Sequence, residues 1–245
     1  GMSAAEKPIP LTRLVRIELR KAVDTRSGFW LALIVLALTL LLLILGATGL
    51  FKKMSAQDTF EVGVAPAAFL LPFVGLLLIS AEFTTRTALT TFVLVPSRAR
   101  VVGAKLVAAV LIGVAATLFI AAASWLASIP APNPEGAPLY GYGEMPWRVG
   151  LDLVTGVVGG FAFGLLIRNT PAAIVTYIFM PVLVGTLTVI PAISDIGPWL
   201  TASASPFGKT DADLSSWAEV WTTTAIFTVA PLIAGLWRLR RSEIS

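Results

Sequence analysis

Six stretches of this chain stay apolar over roughly the 20 residues that a helix needs to cross a bilayer. They run over about 28–51, 62–80, 101–129, 147–167, 171–193 and 219–237. Backbone in hydrocarbon must satisfy its own hydrogen bonds, so these runs predict an all-α polytopic membrane protein with six transmembrane helices. The charge content agrees. Only 13% of the 245 residues are charged and mean hydropathy is +0.86, where a soluble domain carries roughly a quarter charged residues. Trp30, Trp125, Trp147, Trp217, Trp221 and Trp237 fall at the predicted span ends, as an aromatic belt at the two membrane surfaces requires. Pro66 and Pro72 in span two, and Pro181 with Gly185 in span five, predict kinks or breaks.

Basic residues set the orientation. Segments on the N-terminal side carry Lys7, Arg13, Arg16, Arg20, Lys21 and Arg26, then Arg86, Arg98, Arg100 and Lys105, then Arg168, then Arg238, Arg240 and Arg241. These are fourteen of the eighteen Lys and Arg. The opposite side has Lys52, Lys53, Arg148 and Lys209. Both termini are therefore expected in the cytoplasm, which six spans allow. Gly1 ahead of Met2 is read as an expression remnant. A secretory signal is not expected, because no small-residue cleavage site follows the first span and five more come after.

Residues 1–27 are too charged to span. Over Leu11 to Arg26, Arg13, Arg16 and Arg20 project to one side and Leu11, Leu14, Val15 and Ala22 to the other, which predicts an amphipathic helix in the membrane interface. Glu18 falls on the apolar side, where it either pairs with a basic residue of the Arg86–Arg100 segment or reaches water; the pair is favoured. Residues 28–245 form the six-span domain. Between spans two and three, Ala88, Leu89, Phe92 and Val93 share one helical face, with threonines on the other. Pro96 ends that helix, and Ser97 caps the next. Arg98 and Arg100 then sit in a first turn, where positive charge opposes the macrodipole. Such a placement points to lipid phosphates or an acidic partner surface, or to an ordinary basic loop. The polar stretch from Ser194 to Ala218 carries apolar islands at Ile196, Trp199 and Leu200 and is expected to dip into the interface.

Catalytic chemistry is sparse. Without Cys or His there are no thiolate nucleophiles, no imidazole bases and none of the commonest zinc or haem ligands. No enzyme site, metal or resident cofactor is expected. Gly208-Lys209-Thr210 is no P-loop, since Ser203 stands where the first glycine is needed. Asp152, one turn inside Arg148, is expected to pair with it at i, i+4. No carboxylate lies at mid-membrane, against a proton- or sodium-driven transporter. Gly156, Gly160 and Gly164 form a small-residue stripe that fits an intramolecular helix contact or a dimer seam. An ATP-independent channel or facilitator, or a membrane scaffold, stays open as an alternative.

Taken together, Glu82, Thr87, Pro96, Arg98 and Lys105 resemble the E-x4-T … P-x-R … K pattern of ABC-2 type transporter permeases. Glu18 to Lys21, ELRK, resembles their N-terminal connecting helix, and Gly235 to Ile244 their C-terminus. Many members have Gly before the Thr, where this chain has Arg86. The resemblance covers the whole chain. It implies a coupling helix beginning at Glu82 and running through Arg86, Thr87, Ala88, Leu89, Phe92 and Val93 to Pro96 and Arg98, docked on a separate ATPase subunit that holds ATP and Mg. Glu18 and Arg168 would contribute nearby contacts, while tail residue Arg238 would be inert. It also implies a second permease chain, identical or similar, and an exporter of an amphipathic, lipid-like or drug-like substrate in the cell membrane, with no nucleic-acid partner. Substrate would pass between spans two and five of the two permeases, along Phe69, Phe73, Thr176, Tyr177, Phe179 and Met180.

Overall fold

A computed structural model describes residues 10–48, 56–84, 98–128, 145–204 and 214–241. Pro10, extended at φ −63° and ψ 142°, opens helix α1, Leu11–Asp24. Its arginine face is exposed, and Leu14, Val15 and Glu18 are buried. Thr25 breaks the helix and starts the next one: its hydroxyl accepts from the Gly28 N–H at 3.3 Å, an N-cap. A side chain at Gly28 would collide with the Ala22 carbonyl, so the elbow needs glycine.

Six helices long and apolar enough to cross a membrane follow among the described residues: α2, Arg26–Thr48; α3, Ala56–Thr84; α4, Arg98–Ser128; α5, Met145–Ile167; α6, Thr170–Leu187; and α8, Trp217–Arg241. A short helix α7, Gly197–Thr201, lies between the last two. The pair α3 and α5 forms the centre. About half of each is buried, against 6% of α6 and 17% of α2 and α8. Phe60, Val64, Ala67, Leu71 and Ile79 of α3 pack with Leu153, Val157, Phe161 and Leu165 of α5 in one core. The outer helices expose Leu, Ile, Val and Phe over much of their surface. A surface of that kind suits lipid rather than water.

The glycine stripe explains the close central pair. A Cβ at Gly160 would overlap the Pro72 carbonyl oxygen; one at Gly164 would lie 2.7 Å from Ile79 Cγ2; Gly156 faces Pro72 Cγ at 3.4 Å. Gly75 of α3 answers with an equally close approach to the Val157 carbonyl. The stripe is thus occupied within the chain, which rules out the dimer-seam alternative for these three residues. Helix α3 continues through Pro66 and Pro72, so the expected break does not occur. The fifth span ends at Leu187 rather than Ile193. Pro191 disfavours helix at Ile190, and turns and a 3₁₀ segment, Ser194–Ile196, follow.

Helix α8 begins at Trp217, earlier than expected, because Ser216 and Glu219 form a capping box. Its middle, Ala225–Val229, is a π-turn in which the Ala230 N–H reaches the Ala225 carbonyl. The cause lies one residue further on. Pro231 has no N–H to offer the Phe227 carbonyl, and the helix re-registers around that gap.

Candidate functional site

Two places gather the polar groups of the described chain, one at each end of the bundle. At the basic end α1 lies on the start of α4, with Leu14 and Val15 packed against Val101 and Ala104. Lys105 Nζ donates to Glu18 Oε2 at 2.5 Å and to the Leu78 carbonyl at 3.2 Å. One ammonium thereby ties together α1, α4 and the last turns of α3. Glu18 also accepts from Lys21 at 3.1 Å. The expected partner of Glu18 was a basic residue between Arg86 and Arg100. The partner is Lys105, which lies further along α4, on its buried face.

The turn joining α5 to α6 reaches the same end. Arg168 adopts a left-handed backbone, φ 57°, and its N–H closes on the Gly164 carbonyl at 3.0 Å. Asn169 then caps α6 by accepting from the Ala172 N–H at 3.0 Å. The Arg168 guanidinium stands 5.2 Å from the centre of the Phe83 ring, at the end of α3. Arg238 was expected to be inert. Instead its Nη1 donates to the Leu166 carbonyl at 2.7 Å, joining the end of α8 to the end of α5.

Glu82 lies in the last turn of α3, not at the start of a separate helix. Nothing between Ser80 and Thr84 breaks the helical backbone. Arg98 is the first residue of α4. Arg86, Thr87, Ala88, Leu89, Phe92, Val93 and Pro96 lie outside the described residues, as does the expected Ser97 cap.

At the opposite end a cavity of about 300 Å³ opens between α3, α5, α6, α8 and the segment after α7. Asp152 is the only charged residue of its lining. Asp152 Oδ1 accepts from Ser203 Oγ at 2.8 Å. Other lining hydroxyls also direct their protons at acceptors. Thr155 donates to the Leu151 carbonyl at 2.8 Å, Thr223 to the Trp199 carbonyl at 2.8 Å, Thr201 to the Gly197 carbonyl at 2.9 Å, and Tyr177 to the Gly156 carbonyl at 3.4 Å. Above the cavity, Arg148 is buried beneath stacked Trp147 and Trp217 rings, 4.5 Å apart, with its guanidinium 4.1 Å from the centre of Trp217. The expected Arg148–Asp152 pair is not among the ion pairs between described residues. The tryptophans hold the guanidinium by cation–π contact, while Asp152 turns to Ser203.

The aromatic residues expected along a substrate path divide. Tyr177 and Met180 line the cavity. Phe73 meets Tyr177 edge-on at 6.2 Å, and Phe69 meets Phe73 at 5.7 Å. Phe69 and Phe179 are 63% and 58% exposed and face away from the chain's interior, and Thr176 is half-buried. Spans two and five therefore touch within one chain. Sequence reasoning missed Lys105 as the partner of Glu18 and missed the cavity altogether. The signals were present: an acid inside span four, prolines in spans two, five and six, and the threonines of span six. No protein-family model matches this sequence, and no curated protein is significantly similar to it.

Proposed function

We propose that this chain is the membrane-spanning permease subunit of an ATP-driven exporter of the ABC-2 type, powered by a separate ATPase subunit. The observation that carries the reading is the layer at the basic end. There the amphipathic helix α1 is fastened by the Glu18–Lys105 pair to the helix that follows residues 85–97 and, through the Leu78 carbonyl, to the helix that precedes them. A push on that segment from outside the membrane would reach α1, α3 and α4 together. By the bias of Lys and Arg, this end is the cytoplasmic one.

The charges flanking the segment support a docking role. Glu82 sits at a helix C-terminus and Arg98 at a helix N-terminus, each at the end of its own helix where the macrodipole disfavours it. A partner surface with its own charges would offset both placements. ATP and Mg belong to that partner. The Arg168 turn, packed on Phe83, forms the second contact. Two permease chains and two ATPase chains would complete a transporter of the cell membrane. The short helix α7 and the residues after it, which border the cavity at the far end, would serve as the external closure, and the exposed Phe69 and Phe179 would face the second permease.

The test is affinity purification of the tagged chain from its native membrane, with Mg-dependent, vanadate-sensitive ATP hydrolysis measured in the eluate. The proposal expects hydrolysis and an ATPase subunit in equal number with the permease. Solute flux through the purified chain alone, with no ATPase retained, would instead establish a facilitator. Absence of both would leave a scaffold.

A further inference from the structure

The helices around the cavity at the far end share one departure from regular geometry. Proline has no N–H, so the carbonyl four residues earlier loses its helical donor. Pro72 does this to Ala68 in α3, Pro181 to Tyr177 in α6, and Pro231 to Phe227 in α8. All three affected residues line the same cavity. A carbonyl without a donor is costly in a membrane interior unless something supplies one. The lining hydroxyls described above direct their protons at acceptors, which leaves oxygen lone pairs to the cavity, and the only formal charge is that of Asp152.

From this we infer that the cavity binds a small organic cation with N–H donors, a primary ammonium carrying an apolar group. The ammonium hydrogens answer the excess of acceptors, and Asp152 supplies the counter-charge. Tyr177 and Phe227 give the apolar group aromatic surface and the cation a π-face. A volume of about 300 Å³ lies at the small end of ligand sites, which fits one ring with a short amine. An anion would meet Asp152 without a compensating charge in the lining. The site is enclosed by one chain, so the inference stands apart from the ATPase reading and is tested without any ATPase.

The experiment uses the full chain in a non-ionic maltoside detergent, with binding followed by equilibrium dialysis and by the unfolding midpoint. Three probes of matched shape differ in charge: phenethylammonium, phenethyl alcohol and phenylacetate. The inference expects saturable binding of phenethylammonium at one site per chain, at least tenfold weaker binding of the alcohol, and none of phenylacetate. Asp152→Asn, which keeps shape and the Ser203 contact, should weaken the amine at least tenfold. The near-isosteric Thr228→Val should weaken it severalfold. If Asp152→Asn elutes as an aggregate, the charge series on the unaltered chain and Thr228→Val decide the matter. Equal binding of alcohol and amine, absence of saturable amine binding, or unchanged amine affinity in a folded Asp152→Asn would overturn the inference.

Discussion

Lys105 and Glu18 meet in the interior of the basic end, 4% and 5% exposed, with the ammonium shared between the Glu18 carboxylate and the Leu78 carbonyl. A buried charge that loses its partner is far costlier than a pair that is never made. Glu18→Ala should therefore destabilise the fold by about 3–5 kcal/mol, and Lys105→Met by a similar amount. The double variant Glu18→Leu/Lys105→Met should recover most of the loss, since neither charge then remains. Unfolding midpoints of the four proteins in detergent close this cycle. Additive losses in the double variant would mean that the two side chains do not act as a pair.

The approach of α5 to α3 makes a second prediction. Gly160→Ala places a methyl group against the Pro72 carbonyl, and overpacking of this kind costs roughly 1–3 kcal/mol. Gly160→Leu should misassemble outright. Gly103 has no atom within 4 Å of an added Cβ, so Gly103→Ala should be neutral or more stable by up to about 1 kcal/mol, the difference in helix propensity. Elution profiles and thermal midpoints compared across the three variants read this directly. A Gly160→Leu protein that behaves as the parent would show that the two helices separate freely.

Orientation is tested by single cysteines, which the chain's lack of native cysteine permits. Ser55→Cys, Gly136→Cys and Ser205→Cys should label with an impermeant maleimide in intact cells. Thr12→Cys, Thr90→Cys and Ser242→Cys should label only after lysis. Labelling of Thr90→Cys in intact cells would place the segment between α3 and α4 outside and remove the docking reading.

The six spans and the amphipathic face of α1 were legible because burial in lipid leaves a strong, one-dimensional signal: length and hydropathy. The glycine spacing showed that something packs against span four, but one sequence holds no information about which neighbour it is; the fit of Gly160 against Pro72 names α3. Glu18 was recognised as misplaced on its helix, and its partner was missed by a few residues because a pair distant in sequence is fixed by how α1 lies on α4. The start of α8 was legible in hindsight from Ser216 and Glu219, a capping box masked by the apolar run that follows. The cavity left only scattered marks, single prolines in three helices and one aspartate, whose convergence is purely three-dimensional. The aromatic path was half right: Tyr177 and Met180 turn inward, whereas Phe69 and Phe179 turn out.

The account as a whole turns on whether the basic end transmits work from an ATPase. The direct measurement is Mg-ATP hydrolysis per permease in the reconstituted complex, with the subunit ratio read on the same samples. Phe92→Asp should lower the amount of ATPase retained, by setting a charge on the apolar face of the docking segment. Glu82→Ala should keep the complex intact and lower hydrolysis. Arg20→Ala, whose pairing with Asp24 is solvent-exposed, should match the parent and replaces Arg238 as the control. Full hydrolysis at normal stoichiometry in both Phe92→Asp and Glu82→Ala would contradict the account, because the segment between α3 and α4 would then be a passive loop.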